Sequence, residues 1–186
     1  GKNAGLAAMI LATKLPLAAC AQIDAIKAML EIFPWAETDG AHLGIKMEDA
    51  ESHALTCTPD LYHVDPCYVE VKFDSRTPVM ATKENCQDAA EKTAHAHGFE
   101  FETPGMIPPH RVAADSAFVQ HVTGLKGETM AIGGGTYVHD IKNGVAFGAV
   151  LPGIDTHMHG ADEFFDLENI VLATKVYAEA IIELCS

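Results

Sequence analysis

The sequence predicts a mixed α/β protein in two parts, and three observations support this fold class. Residues 3–32 are rich in strong helix formers, with apolar side chains at the three- and four-residue spacing of helices. Residues 67–75 alternate apolar with polar side chains, which is the period of a half-buried strand. A proline-rich stretch at residues 104–110 separates these elements from a second set. The domain boundary is placed there, which gives domains of residues 1–105 and 106–186.

The first part is predicted to be a small α/β sandwich in the order helix, strand, strand, helix, strand. Pro16 is expected to divide residues 3–32 into two helices, because proline lacks the donor that a helix interior needs. Residues 53–58 and 67–75 are expected to pair as a hairpin, with residues 59–66 as its turn. The remaining predicted elements are a helix over residues 83–97, stopped by Gly98, and a strand over residues 99–102.

The second part is predicted to be an α/β unit too small to be a complete sheet protein. Asp115 is expected to cap a helix that runs to about residue 122. Strands are expected over residues 129–132 and 144–150. The chain is expected to end in a helix over residues 167–184, capped by Asp166 and carrying a broad apolar stripe.

Charge and composition exclude several classes of function. The 26 acidic and 12 basic residues give a formal charge of -14, which would repel nucleic acid and anionic membranes. The five cysteines are odd in number and form no Cys-x-x-Cys pair, so a reducing, cytoplasmic compartment fits best. Lys14 and Pro16 interrupt the apolar residues 6–17, a stretch shorter than the ~20 residues of a membrane span. We therefore expect neither nucleic acid nor a membrane as a partner.

A run of three glycines is the most specific segment of the second part. Residues 131–137 read as a strand that leads into Gly133, Gly134 and Gly135 at the start of a short helix. Glycines let backbone amides approach a ligand closely, and amides at a helix N-terminus favour an anion. The pattern therefore indicates a site for a carboxylate or phosphate. A flexible turn is the alternative, because the segment lacks the lysine of a phosphate-binding P-loop.

Two histidines and three acids lie within nine residues between Asp155 and Glu163. Neutral imidazole is a preferred zinc ligand, and nearby carboxylates hold its other nitrogen and fix the tautomer. The segment therefore predicts a metal ligand at His157 or His159. An ordinary surface histidine is the alternative interpretation.

Several segments of the second part together carry a resemblance to a known family. They are Gly124-Leu125-Lys126-Gly127, the triple glycine, Gly144-Val145-Ala146-Phe147-Gly148, Asp155-Thr156, Met158-His159 and Tyr177-Ala178-Glu179-Ala180-Ile181. In order and spacing they are similar to the C-terminal end of Xaa-His dipeptidases of the PepV type, which are co-catalytic zinc peptidases of clan MH. The resemblance is strong over residues 107–184 and weaker over residues 1–103.

The resemblance implies a division of labour between the two parts. Residues 1–105 would be the α+β end of a lid domain that binds substrate. Residues 106–186 would be the C-terminal segment of the α/β zinc-peptidase catalytic domain. The intact enzyme would hydrolyse the peptide bond of a dipeptide with water activated by two zinc ions.

The resemblance also implies site residues. The family's C-terminal zinc ligand falls on His159, with His157 as the alternative assignment. Arg76 matches the lid arginine that grips the substrate carboxylate, a role that suits a guanidinium because it can donate two parallel bonds. A solvated arginine at a strand end is the alternative. The substrate-contacting loop of the family falls on Gly133, Gly134, Gly135 and Thr136.

The sequence also departs from the family. The family's N-terminal half supplies a His-x-Asp segment, a bridging aspartate and a Glu-Glu pair, and the resemblance, which is to the C-terminal part of the family, includes none of these segments. Gly1-Lys2-Asn3-Ala4 resembles the segment directly after the family's transition-state histidine. We therefore expect a fragment that is inactive alone and is partnered by the N-terminal half of a longer enzyme. The alternatives are a non-catalytic binding or assembly module derived from the lid, and a small anion-binding protein.

Overall fold

The computed structural model contains helices and two small antiparallel sheets, which confirms the mixed α/β class. The chain divides into two compact units. The first unit extends to His110 and includes Ala131–Gly134, and the second contains Arg111–Met130 and Gly135–Ser186. The structure describes residues 2–120, 129–146, 150 and 153–186.

The first unit begins with two helices, as predicted. Helix α1 spans Ala4–Lys14 and helix α2 spans Ala21–Ile32, so the helical run does break around Pro16. The side chain of Asn3 caps α1 by accepting a hydrogen bond from the backbone N of Leu6 at 3.0 Å. In α2 the buried residues Ile26, Met29 and Ile32 recur at three-residue spacing, which places one apolar face against the core.

Four strands follow as two antiparallel pairs. Strand β1 (Glu48–Asp49) pairs with β2 (His53–Ala54), and β3 (Thr56–Val64) pairs with β4 (Val69–Arg76). The predicted hairpin is confirmed, but the prediction of residues 59–66 as its turn is wrong. Strand β3 continues past Pro59 because a bulge lies there and Pro59 faces Phe73, where a missing N–H breaks no ladder bond.

The true turn of the hairpin is short and centres on Asp65. Its Oδ1 accepts hydrogen bonds from the backbone N of Cys67 at 2.7 Å and of Tyr68 at 2.9 Å. An aspartate that satisfies backbone donors in this way is a typical turn former.

The third helical segment is also confirmed. A π-helical turn over Lys83–Gln87 leads into α3, Asp88–Ala96. The Thr82 hydroxyl accepts from the backbone N of Asn85 at 3.2 Å, and the Asn85 side chain accepts from the backbone N of Thr82 at 2.7 Å. This reciprocal pair is a capping box. The helix stops before Gly98, whose φ of +82° is one that glycine adopts without strain.

Two predicted strands are wrong. Residues 99–102 and 129–132 are both extended or irregular, and neither is a strand. A strand exists only where a neighbour accepts and donates its ladder hydrogen bonds. In residues 99–102 the one backbone hydrogen bond among the described residues runs from Phe99 N to Ala94 O, at 2.9 Å, back to the preceding helix.

Two further predictions in the second part need correction or lie partly outside the described residues. Ser116, and not Asp115, caps the helical residues 117–120, because its hydroxyl accepts from the backbone N of Val119 at 3.3 Å. The predicted end of that helix near residue 122 lies outside the described residues. Of the predicted strand over residues 144–150, the described residues 144–146 and 150 are not in a strand.

The first unit encloses a hydrophobic core. Residues from α2, the sheet and the loop between them are almost completely buried, among them Met29, Leu43, Ile45 and Leu55, each at 1% exposure. Two cysteines, Cys57 and Cys86, are part of this core. Burial raises the pKa of the Cys57 thiol to about 12, because the thiolate would be poorly solvated there.

The second unit is built differently. Its described elements are the helical residues 117–120, a 3₁₀ helix over Tyr137–Asp140 and a long helix α4, Leu167–Cys185. Asp166 caps α4, as predicted, by accepting from the backbone N of Asn169 at 3.0 Å. In α4 the buried residues are Asn169 and Ala180. No helix in the described part of the chain combines the length and apolar character that crossing a membrane requires. The exposed apolar side chains of α4 include Leu167, Ile170, Val171, Leu172, Ile181, Ile182 and Leu184.

Candidate substrate-binding and metal sites

Arg76 lies at the last position of β4, with half of its side chain exposed. Residues two apart on a strand point to the same face, so Asp74 lies beside it. The Nε of Arg76 donates to Asp74 Oδ2 at 2.7 Å. The two terminal nitrogens of the guanidinium make no hydrogen bond to a described residue. Asp74 therefore orients the guanidinium while its outer edge stays able to bind a carboxylate with two parallel bonds.

The structure brings Arg76 and the glycine loop together within the first unit. A Cβ atom added to Gly133 would lie 3.7 Å from the Cβ of Arg76, so the bare backbone of Gly133 passes directly beside the arginine. A Cβ on Gly134 would meet only the side chain of Ile132, at 4.0 Å. The backbone of Gly133 therefore lies beside the Cβ and Cγ of Arg76, at the stem of the arginine side chain.

Gly135 and Thr136 belong to the second unit. A Cβ on Gly135 would have no neighbour within 4 Å. Thr136 caps the 3₁₀ helix: its hydroxyl accepts from Val138 N at 3.4 Å, and its own N–H donates to His139 Nδ1 at 3.2 Å. The predicted short helix after the glycines is confirmed, and Thr136 is part of its cap. Its assignment as a substrate-binding residue stays a prediction.

The two candidate metal-binding histidines, also in the second unit, have different surroundings. The ring of His157 stands edge-on to Phe164 at 5.6 Å, and its backbone N donates to Asp155 Oδ1 at 2.9 Å. His159 is exposed, and its ring makes no hydrogen bond to a described residue. Both residues have a positive φ, +54° and +61°, which is uncommon outside glycine and marks a tight local turn. The His157 side chain is exposed as well, and its ring also makes no hydrogen bond to a described residue, so these contacts do not decide between the two imidazoles as a ligand.

The described residues do not form a complete metal site. Among them, no three histidine, cysteine, aspartate or glutamate side chains come close enough to hold one ion. Zinc sites in proteins use three or four such ligands. Within the described part of the chain, His159 is a single candidate ligand, which is too few to hold a zinc ion.

Sequence reasoning missed two side chains that shape these sites. Asp74 orients Arg76, and the signal for it was present, because acidic and basic residues two apart on a strand share a face. Phe164 covers one edge of the His157 ring, and no sequence signal pointed to that contact.

Comparisons with known proteins find relatives that are named putative dipeptidases. It is 33% identical over 156 residues to Putative dipeptidase YtjP of Bacillus subtilis, a match that covers 80% of this chain. Proteins of Staphylococcus haemolyticus and Staphylococcus aureus that are likewise named putative dipeptidases are 37% identical over 101 residues and 35% identical over 109 residues, covering 50% and 55% of the chain. These relatives support a dipeptidase family. No family model matches the chain.

The matches cover only part of each relative. The chain spans 33% of the length of the Bacillus protein, and 22% and 23% of the two staphylococcal proteins. The similarity to these putative dipeptidases supports a peptidase-related function for the chain. It does not show the activity or the partners of a whole protein of that length.

Proposed function

We propose that this chain is part of a zinc-dependent dipeptidase of the PepV or Xaa-His type, in clan MH, that acts in the cytoplasm. Residues 1–105 form the end of its lid domain, and residues 106–186 form the C-terminal segment of its catalytic domain. Similarity to putative dipeptidases over 80% of the chain supports this proposal. On its own the chain is inactive, and the N-terminal half of the longer enzyme is its partner.

The observation that carries the proposal is the contact between Arg76 and Gly133. A linear dipeptide carries a free C-terminal carboxylate, so an enzyme that selects dipeptides needs a site for that group. Arg76 is held through its Nε by Asp74, and its outer edge faces no described partner. Gly133 lies beside the stem of the same side chain, and as a glycine it has no side chain of its own that could cover the site. An oriented guanidinium binds a carboxylate with two parallel charge-assisted hydrogen bonds.

The proposal of a metal site rests on fewer residues of this chain than the proposal of a carboxylate site. His159 would supply one ligand, and the remaining ligands and the general base would come from the rest of the longer enzyme. Zinc supplies such enzymes with a water molecule activated for attack on the peptide bond. Because the described residues do not form a complete site, no catalytic step is assigned to this chain.

The carboxylate site can be tested with this chain and two ligands that differ in one group. The dipeptide Ala-His and its C-terminal amide are titrated separately while the Arg76 Nε–H resonance is followed by NMR. We expect the free acid to shift that resonance and the amide to leave it unchanged. Arg76→Ala should weaken binding of the acid by about tenfold or more, because it removes hydrogen bonds to a charged group.

Lys72→Ala is the matched control, because Lys72 is a cationic residue on the same exposed face of β4. That variant should bind the acid as the unchanged chain does. Equal binding of acid and amide, or equal losses in the two variants, would show that Arg76 is only a solvated strand-end residue.

Hydrolysis is tested on a polypeptide as long as the relatives that includes this chain. Cleavage of Ala-His that a chelator abolishes and zinc restores supports the zinc-dipeptidase proposal. Binding of the carboxylate without any cleavage would instead favour the alternative of a non-catalytic binding module derived from the lid.

A further inference from the structure

Two exposed cysteines of the first unit lie at places that a side-chain hydrogen bond joins. Cys20 directly precedes helix α2, and Cys67 follows Pro66 in the turn of the β3–β4 hairpin. The side chain of Gln22, in the first turn of α2, donates from Nε2 to the carbonyl O of Pro66 at 2.7 Å. The start of α2 therefore lies against the hairpin turn, although the two cysteines are far apart in sequence.

The packing of α2 on β4 places the two cysteines at the same end of the unit. The Gln22 contact joins the start of α2 to the turn that precedes β4. Phe33 follows the last residue of α2, and its ring lies 5.5 Å from that of Phe73, in the second half of β4. The helix and the strand thus run in the same direction. Cys20 and Cys67, which precede them, lie at the ends that are in contact.

The two cysteines differ in how firmly the chain holds them. The turn fixes Cys67, because its backbone N donates to Asp65 Oδ1 at 2.7 Å. Cys20 ends an exposed connection, residues 16–20, that has no regular secondary structure, and its side chain makes no capping hydrogen bond to α2. A disulfide needs Cα atoms within about 7 Å of each other. A connection of this kind can move to meet that requirement while Cys67 keeps its place.

The other cysteines are less suited to pair with either of these two. Cys57 and Cys86 are 2% and 7% exposed in the core, so an oxidant in solution does not reach them while the unit is folded. Cys185 is exposed but belongs to the second unit. Cys20 and Cys67 are therefore the accessible pair within the first unit.

We infer that Cys20 and Cys67 form a reversible disulfide when the protein meets hydrogen peroxide. The thiolate of one cysteine attacks the peroxide, the O–O bond breaks, and a sulfenic acid and a first water form. The thiolate of the other attacks the sulfenic sulfur, so that an S–S bond forms, the S–O bond breaks and a second water leaves. The two thiols supply the two electrons that reduce the peroxide and the two protons that complete the waters.

The bond would close a covalent loop over residues 20–67, which includes α2 and most of β3. Such a loop restricts the unfolded chain, and the stabilisation increases with loop length. In a reducing compartment a disulfide is usually transient and redox-sensing. The first unit would thus resist unfolding better while peroxide is present. The inference does not depend on peptidase activity, because the bond is measured without substrate.

The test oxidises the folded chain with hydrogen peroxide and follows the products by mass spectrometry. We expect a monomer lighter by two hydrogens, and a digest in which Cys20 is linked to Cys67. Dithiothreitol should restore the starting mass. The urea midpoint measured by the fluorescence of Trp35, in the first unit, should be higher for the oxidised chain than for the reduced chain.

Serine variants of the three exposed cysteines separate this pair from general oxidation. Cys20→Ser and Cys67→Ser should each abolish the loss of two hydrogens and the rise of the urea midpoint. Cys185→Ser is the matched control and should form the bond as the unchanged chain does. Gln22→Ala should slow formation of the bond by roughly two- to tenfold, because one hydrogen bond no longer holds the turn against α2.

Other results would overturn the inference. These are oxidation that only adds oxygen to the thiols, a disulfide that joins two chains, and a bond within one chain that involves Cys185 or a core cysteine. A bond that forms at the same rate in Gln22→Ala as in the unchanged chain would show that the contact between α2 and the turn does not bring the two sulfurs together.

Discussion

The two compact units of this protein differ in how far their apolar side chains are buried. In the first unit Ile45 and Met29 are each 1% exposed, within a core that α2 and the sheet enclose together. In the second unit Ile181 and Ile182 on α4 are each 64% exposed. Helices α2 and α4 both have amphipathic sequences, so the sequence pattern alone does not decide whether a helix face is buried. An apolar helix face becomes core only where other elements cover it.

This difference in burial indicates which unit can be stable through its own contacts. Burial of a large apolar side chain stabilises a fold by roughly 1.5–3 kcal/mol, and the first unit has eight such residues in one cluster. The described residues of the second unit bury few apolar groups. Exposed apolar patches of this kind are typical of surfaces that other protein parts cover.

The largest expected effect comes from the same substitution made in both units. Ile45→Ala should lower the free energy of unfolding of the first unit by about 2–5 kcal/mol, because it leaves a cavity in the core. Ile181→Ala should change that free energy by less than about 0.5 kcal/mol. Urea unfolding followed by the fluorescence of Trp35 measures the first unit, because this is the one tryptophan of the chain. Equal effects of the two variants would contradict the comparison.

Substitutions at one helix cap in each unit make the same comparison, with smaller expected effects on stability. Thr82→Ala removes half of the capping box before α3 and should destabilise the first unit by about 1 kcal/mol. Asp166→Ala removes the cap of α4 and should reduce the helical circular dichroism signal without moving the Trp35 midpoint. Thr82→Ser is the control, since serine also caps, and its midpoint should stay near that of the unchanged chain. A Trp35 midpoint that falls in Asp166→Ala would show that the first unit depends on α4.

The smallest expected effect is a dependence of the first unit on pH. Asp49 accepts hydrogen bonds from the backbone N and the hydroxyl of Ser52, at 2.6 and 2.8 Å, and these bonds lower the pKa of the carboxyl below its ordinary value of 3.8. A carboxyl with a lower pKa in the folded state stabilises the fold above its unfolded pKa and loses that contribution as the pH falls.

The Trp35 midpoint should therefore decrease as the pH is lowered through 3.8 and below. Asp49→Asn should have a flatter pH profile in that range than the unchanged chain. An identical profile in the two proteins would mean that other carboxyls cause the acid destabilisation.

Much of the first unit could be predicted from the sequence because its signals are local. The break around Pro16 and the stop at Gly98 each depend on the chemistry of one residue and its near neighbours. The cap at Asp166 in the second unit was predictable for the same reason. Such signals do not require knowledge of what lies across the fold.

The wrong predictions involve pairing between distant residues. Residues 99–102 have the pattern of a strand but no described neighbour, and a pattern cannot reveal whether a neighbour is present. Pro59 looked like the end of a strand because a bulge at that position has no sequence signal.

The candidate site was predictable in part for the same reason. The arginine and the glycines could be singled out by residue type, but the contact between Arg76 and Gly133 joins positions 57 residues apart in sequence. The orienting role of Asp74 became visible only with the geometry of the ion pair.

The buried thiols of the first unit have a consequence for chemical reactivity. Only a thiolate attacks an alkylating reagent readily, and burial of Cys57 raises its pKa to about 12, so this sulfur is unreactive at neutral pH while the core is closed. Cys20, Cys67 and Cys185 are exposed and can react in the folded protein. The number of cysteines that an alkylating reagent modifies thus reports whether the core has opened, and no cysteine has to be introduced for this measurement.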